Sequence, residues 1–208
     1  MSRPIRLVFF AGILLIIFYF LKESVFSDEA YISAIRKERE TKNLTFRGSE
    51  GSPLEEADRP TFDSLNYYPP AIIYQVEADY RVFPQPDTVQ MPLTTGETES
   101  YLKYAQATFN LEGQKNTLML YLRVNTPDSA LFVPFNDITN GTETYTGGRF
   151  LDINKPELNA NSITIDFNKA YNPFCVYNYN YSCPVPPRVN RLSIPIRAGE
   201  KAYTKKNK

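Results

Sequence analysis

The residues of this chain that could do chemistry gather in two stretches, TNGTETYTGGR (Thr139–Arg149) and DFNKAYNPFCVYNYNYSCPVPPRVNRLSIPIR (Asp166–Arg197). In the first, Asn140-Gly141 and Gly147-Gly148 permit positive φ, so the backbone can turn tightly or approach a ligand. Tyr145 and Arg149 offer a phenol and a guanidinium, a pair suited to an anionic or polar group. The competing account is an ordinary hairpin loop with Arg149 paired to Asp137, Glu143 or Asp152. Two of the carboxylates Asp137, Glu143, Asp152 and Asp166, facing each other, would suit glycosidase-like acid–base work or gather around calcium. Their spacing matches no EF-hand, and solvated or salt-bridged side chains are the plainer reading.

In the second stretch, Asp166 and Asn168 stand where a strand gives way to a loop. Asp and Asn there bond to nearby backbone N–H groups and fix the turn, a role expected also of Asn172 and Asn190. Phe167, Tyr171, Phe174, Tyr177, Tyr179 and Tyr181 either floor a ring-binding pocket or make a satellite core under a long loop. Together with Gly147, Gly148 and Arg191, these polar and aromatic residues define the candidate ligand site: Tyr145, Arg149, Asp166, Asn168, Tyr171, Asn172 and Asn190.

The two cysteines, Cys175 and Cys183, are too far apart for a CxxC motif and have no companion metal ligands. Outside the cytoplasm they suit a disulfide, worth about 2.5 kcal/mol on the chain-entropy estimate for so short a loop. Two buried thiols, or a reactive or metal-binding thiol, are the alternatives. Histidine is absent. That removes Ser-His and Cys-His nucleophile pairs and His-ligated zinc. No metal and no cofactor is expected.

Strands must position these loops. AIIYQVEADYRVF alternates apolar and polar residues, and TVQMPL, ESYLKYAQATFNL, NTLMLYLRV, ALFVPF, RFLDI, SITIDF and RLSIPIR follow. About eight short strands between turn signals predict an all-β domain, an antiparallel β-sandwich or barrel, over 46–203. A neck helix is expected over 28–45, capped by Asp28, with Tyr31, Ile32 and Ile35 as its apolar stripe. The basic residues 204–208 read as a disordered tail.

Ahead of the neck, LVFFAGILLIIFYFL (Leu7–Leu21) is unbroken and apolar, preceded by Arg3 and Arg6. Its length of about 22 Å as a helix approaches a membrane core once flanking residues snorkel. Residues 1–27 are therefore expected to be an uncleaved signal-anchor crossing the membrane through residues 4–22, with a cleaved signal peptide or a buried core helix as the alternatives. The positive-inside rule puts the N-terminus in the cytoplasm and the domain outside it, as a single-pass protein. With 23 basic against 23 acidic residues, no global field invites nucleic acid.

TNGTETYTGGRF, DFNKAYNPFC, CPVPP and NRL occur in order at spacings that resemble the family of unknown function DUF1684. The resemblance is densest from Ala130 to Tyr203 and thinner from Arg39 through Arg123, where SPL at Ser52 and FDSLNYYP at Phe62 resemble the family's lead-in. Phe174 stands where the family pattern implies a second proline, and an anchor replaces a longer N-terminal β region. The resemblance supports the fold and the site but implies no mechanism.

The expectation is thus a membrane-anchored extracytoplasmic module for a small or polar ligand, with the glycine-rich turn and the Asn/Tyr/Cys/Pro loop together at one end of the barrel. A carboxylate-based, histidine-independent hydrolytic enzyme using Asp166, Tyr145 and Arg149 is one alternative. A structural envelope protein without a site is the other.

Overall fold

The computed structural model describes residues 13, 27–48, 50–124, 130–157 and 159–205. Apart from Ile13, the apolar run expected to cross the membrane lies outside the described residues. Among those described, no helix is long and apolar enough to do so. A helix, α1, occupies residues 27–47. Six strands follow: β1 Gln75–Pro92, β2 Thr98–Leu111, β3 Gln114–Arg123, β4 Ala130–Phe135, β5 Arg149–Asn154 and β6 Ser162–Asp166. They form one antiparallel sheet in the order β5-β4-β3-β2-β1-β6.

Side-chain alternation accounts for the strands. In the first half of β1, Val76, Ala78 and Tyr80 are buried while Gln75, Glu77 and Asp79 face out. The β2–β3 turn places Glu112 and Gly113 at φ of 52° and 72°. Two positive-φ residues fit the tight hairpin whose twist matches its strands. The sheet curls into a half-barrel until its edges, β5 and β6, both line one cleft of about 530 Å³.

The expected eight strands reduce to six for two reasons. AIIYQVEADYRVF and TVQMPL are one bent strand, because the ladder with β2 shifts register between Val82 and Asp87 and then resumes. Pro84 and Pro86 fall in that gap and have no N–H to give it. RLSIPIR keeps its alternation but joins no sheet. Leu192, Ile194, Ile196 and Ala198 enter the main core, as an extended strap across the hollow of the sheet.

Smaller clusters flank the main core. Met91, Tyr101, Tyr121, Phe132 and Phe150 pack together as one. Phe46 of α1 joins Leu54, Leu65 and Tyr177 in another. The helix is docked further by Ile35, which is buried, and by Arg39, which donates to the carbonyls of Tyr68 (2.7 Å) and Asn168 (3.0 Å). At the other terminus, Lys205 is held by Glu55 (3.0 Å) and Asp58 (2.8 Å), so the basic tail begins tied down.

Candidate functional site

The turn 139–149 is built inward. Arg149 opens β5 with none of its side chain exposed. Its guanidinium donates to the carbonyls of Ala198, Glu200 (3.0 Å) and Ile196 (2.7 Å), and to Asp137 Oδ2 (2.8 Å). Asp137 Oδ1 in turn accepts from the Thr139 N–H and hydroxyl and from the Ile196 N–H. A buried guanidinium is costly unless its donors are met; here both terminal nitrogens are met and hold the strap 196–200 in place, while Nε has no partner among the described residues. Gly148 has φ +94°, and a Cβ there would lie 2.6 Å from the Phe135 carbonyl oxygen. At Gly147 a Cβ would meet the Tyr145 ring at 2.4 Å. Both glycines serve the loop's own packing.

The Asp/Asn residues are staples as well. Asp166 Oδ1 accepts from the Asn168 N–H (3.0 Å) and from Tyr31 Oη–H of α1 (2.8 Å). Asn168 accepts from the Ala71 N–H and donates to the Ala71 carbonyl and the Tyr31 hydroxyl. Asn172 donates its N–H to Glu200 Oε2 and its Nδ2–H to the Lys201 carbonyl. Asn190 accepts from Met119 N–H (2.7 Å) and donates to the carbonyls of Met119 and Pro134 (2.8 Å each). It thereby ties β3 to β4, whose ladder has the single registered pair Tyr121–Phe132. Arg191 is on the surface. With Arg149 and Asn172 sealed from solvent, the expected site of Tyr145, Arg149, Asp166 and Asn172 does not open as a pocket.

The expected disulfide is likewise absent: Cys175 and Cys183 are buried free thiols. They nevertheless meet, with the Cys175 N–H donating to Cys183 Sγ at 3.1 Å. The neighbouring Cys183 side chain, and after it Thr94 and Tyr145, pull the Cys175 thiol down to about 7, while Cys175, with burial, holds Cys183 well above the ordinary thiol range.

The open site lies elsewhere. A groove of about 680 Å³ runs between the C-terminal half of α1, the ends of β3 and β5, and the loop 171–184. Phe46, Phe150, Phe174, Pro53, Pro173 and Pro184 supply apolar wall. Its polar side holds three charge pairs. Asp152 accepts from Tyr171 Oη–H and pairs with Arg123 at 3.5 Å, and Arg123 also lies over the Phe132 ring. Glu38 pairs with Lys169 at 2.9 Å, and Lys42 reaches the buried Glu200 at 2.7 Å with the Tyr171 ring beneath it at 4.9 Å. Burial, then the Asp152 charge, raises the Tyr171 phenol far above its usual range, so it stays a donor.

Glu200 anchors the floor. Its Oε2 accepts from Tyr177 Oη–H (2.6 Å) and Asn172 N–H (2.8 Å), and its Oε1 faces Lys42 and Tyr67. Of the residues singled out from sequence, Asp152, Tyr171, Phe174, Tyr181 and Cys183 line the groove. Lys42, Arg123, Asp152 and Glu200 were missed as a set. A helix, two strands and the strap bring them together, and no local pattern links positions so far apart.

Comparison with known proteins agrees with this architecture. A family model described as "Protein of unknown function (DUF1684)" matches residues 60–201. The chain is similar to an uncharacterized protein of Haloarcula marismortui, solved by NMR in solution, with 34% identity and a TM-score of 0.66, covering 83% of this chain and 95% of that one. No curated protein matches. The residues matched to the family model include the sheet, the 171–184 loop and Glu200, while the α1 wall of the groove precedes them.

Proposed function

This chain belongs to the DUF1684 family, a family of unknown function, and we propose that it is a binding module for a small neutral molecule bearing a ring face and polar substituents, held in the groove beside α1. The observation that carries the reading is the groove's combination of size and lining. At about 680 Å³ it falls within the range of small-molecule sites, which are largely apolar with a few placed polar groups. Lys42 and Arg123 are balanced by Glu38 and Asp152, and each is already paired. The wall therefore offers hydrogen bonds more than a net field, which favours a neutral ligand over an ion. Aromatic and proline surfaces suit the face of a sugar or aryl ring.

The apolar run 7–21 behind Arg3 and Arg6 supports tethering to a membrane, with the domain on the extracytoplasmic side. The acid–base alternative loses its support, since Arg149 is committed to the strap and Asp166 to Asn168 and Tyr31.

Thermal shift and ligand-observed NMR on the full chain in detergent micelles test the reading, using neutral saccharides and aryl glycosides beside aryl carboxylates. A neutral ring probe at about 100 times its Kd should add about 2.7 kcal/mol of stability. Thr45 is exposed and lines the groove, so Thr45→Trp should fill it and abolish the shift without unfolding the chain. Stabilisation by carboxylates alone, by no probe, or equally in the Thr45→Trp variant would refute the proposal.

A further inference from the structure

We propose that Cys175 and Cys183 form a redox-active dithiol that exchanges with a small disulfide entering the groove from the Cys183 side. Three observations converge on the pair. The sulfurs are brought together across a short loop, with the Cys175 N–H on Cys183 Sγ at 3.1 Å. Cys183 is part of the groove wall, while Cys175 is not among its lining residues. Cys183 is also pinned at both backbone groups: its N–H donates to Thr94 Oγ1 (3.1 Å) and its carbonyl accepts from Thr94 N–H (2.9 Å). Between the two thiols the loop is exposed over 179–182, with Tyr179 at 84%.

The surroundings are those of a reactive thiol. An inert core cysteine sits among apolar groups, and its thiolate is disfavoured. Cys175 instead has the Cys183 sulfur and the side chains of Thr94 and Tyr145 as neighbours, which favour a thiolate able to take the Cys183 proton as Cys183 attacks. A Cys183 thiolate then bonds to one sulfur of R–S–S–R, and the other leaves as RS⁻ and takes up a proton. Cys175 next gives up its proton and attacks the Cys183 sulfur, expelling the second RS⁻, which is protonated in turn. Two protein thiols become one disulfide and one small disulfide becomes two thiols. The product closes the ring 175–183 and fixes the wall that carries Tyr181 and Ser182.

The test uses the reduced full chain in detergent micelles, exposed to mixtures of reduced and oxidised glutathione and read by mass spectrometry after acid quench. The wild type should lose two hydrogens, regain them on adding reduced glutathione while still folded, and rise in Tm on oxidation by on the order of 5–10 °C. Cys175→Ser should stop at a glutathione adduct on Cys183, whereas Cys183→Ser should react far more slowly. If the folded wild type stays as two free thiols while the urea-unfolded chain oxidises, the thiols are inert core residues and the proposal falls. It falls equally if the disulfide, once formed, yields to reduced glutathione only on unfolding. Should either serine variant fail to fold, the reversibility of the folded wild type decides the matter.

Discussion

Arg149 carries the sharpest lesson at the scale of single residues. A guanidinium beside glycines and a tyrosine fits an outside anion as well as it fits the chain's own carbonyls, because the donors are the same. What separates the two is burial, and that depends on residues 196–200, some fifty positions away. Arg149→Met should therefore destabilise the fold by about 3–5 kcal/mol, since it leaves Asp137 buried without its cation and frees three carbonyls. Arg149→Lys should recover only part, because an ammonium cannot reproduce the planar fork. Urea unfolding of the three proteins measures this directly, and a loss under about 1 kcal/mol for the methionine variant would mean that water replaces the fork. The asparagines were more legible. Their position at strand ends identified Asp166 and Asn168 as turn fixers, and the bond from Asn168 N–H to Asp166 is of that kind, whereas Asn168 itself reaches Ala71, 97 positions away, as a tertiary staple.

At the scale of elements, what could be read was periodicity, and what could not was pairing. The alternation in β1, β2 and β3 identified strands because one face is buried and the other wet. RLSIPIR shows the same alternation and is no strand. It pairs in parallel with 136–138 for one short step, Leu192 N–H to the Asn136 carbonyl and Ile138 N–H to the Ile194 carbonyl. Beyond that, Pro195 has no N–H, the Ile196 N–H goes to Asp137, and the carbonyls of 196, 198 and 200 go to Arg149, so the ladder does not extend. Apolar period reports burial and not hydrogen bonding, which is why the strap passed for an eighth strand. α1 was legible as a helix from its apolar stripe, although Asp28, expected as its cap, lies inside a helix that already includes residue 27; its role as a wall was not legible. That role rests on Lys42 meeting Glu200, whose side chain is only 1% exposed. Lys42→Met should cost about 3 kcal/mol by stranding the Glu200 charge, and should raise hydrogen exchange along α1. The double variant Lys42→Met/Glu200→Gln should recover part of the loss, giving a coupling of at least about 1 kcal/mol. Strict additivity of the two changes would show that the helix is docked by Phe46 and Ile35 alone.

For the molecule as a whole, the absence of histidine moves pH sensitivity away from neutrality and onto the tyrosines. Tyr67, Tyr171 and Tyr177 surround the groove floor, and burial raises each phenol far above its ordinary value of 10.0, with the charge of Glu200 or Asp152 adding to it. Tyr31, where α1 meets Asp166, and Tyr101 are raised in the same way. The sign follows from linkage. A phenol whose folded pKa lies above its unfolded value keeps its proton in the fold after the unfolded chain has lost it. Its contribution to stability is therefore complete below about 10 and declines as pH rises above that value. Several such groups act together, and they sit where α1, the strap and the loop 171–184 join. The fold should hold nearly constant stability from pH 7 to about 9 and then lose it steeply and cooperatively. Ultraviolet titration should show these phenols ionising only as circular dichroism reports unfolding. Tyr177→Phe should delay that transition if the lost bond to Glu200 costs less than the removed proton linkage at high pH, while lowering stability at pH 7 by about 1–3 kcal/mol. Smooth titration of all the tyrosines near pH 10 with the fold intact would show that the groove floor opens to water without unfolding, and that Glu200 is not sealed beneath it.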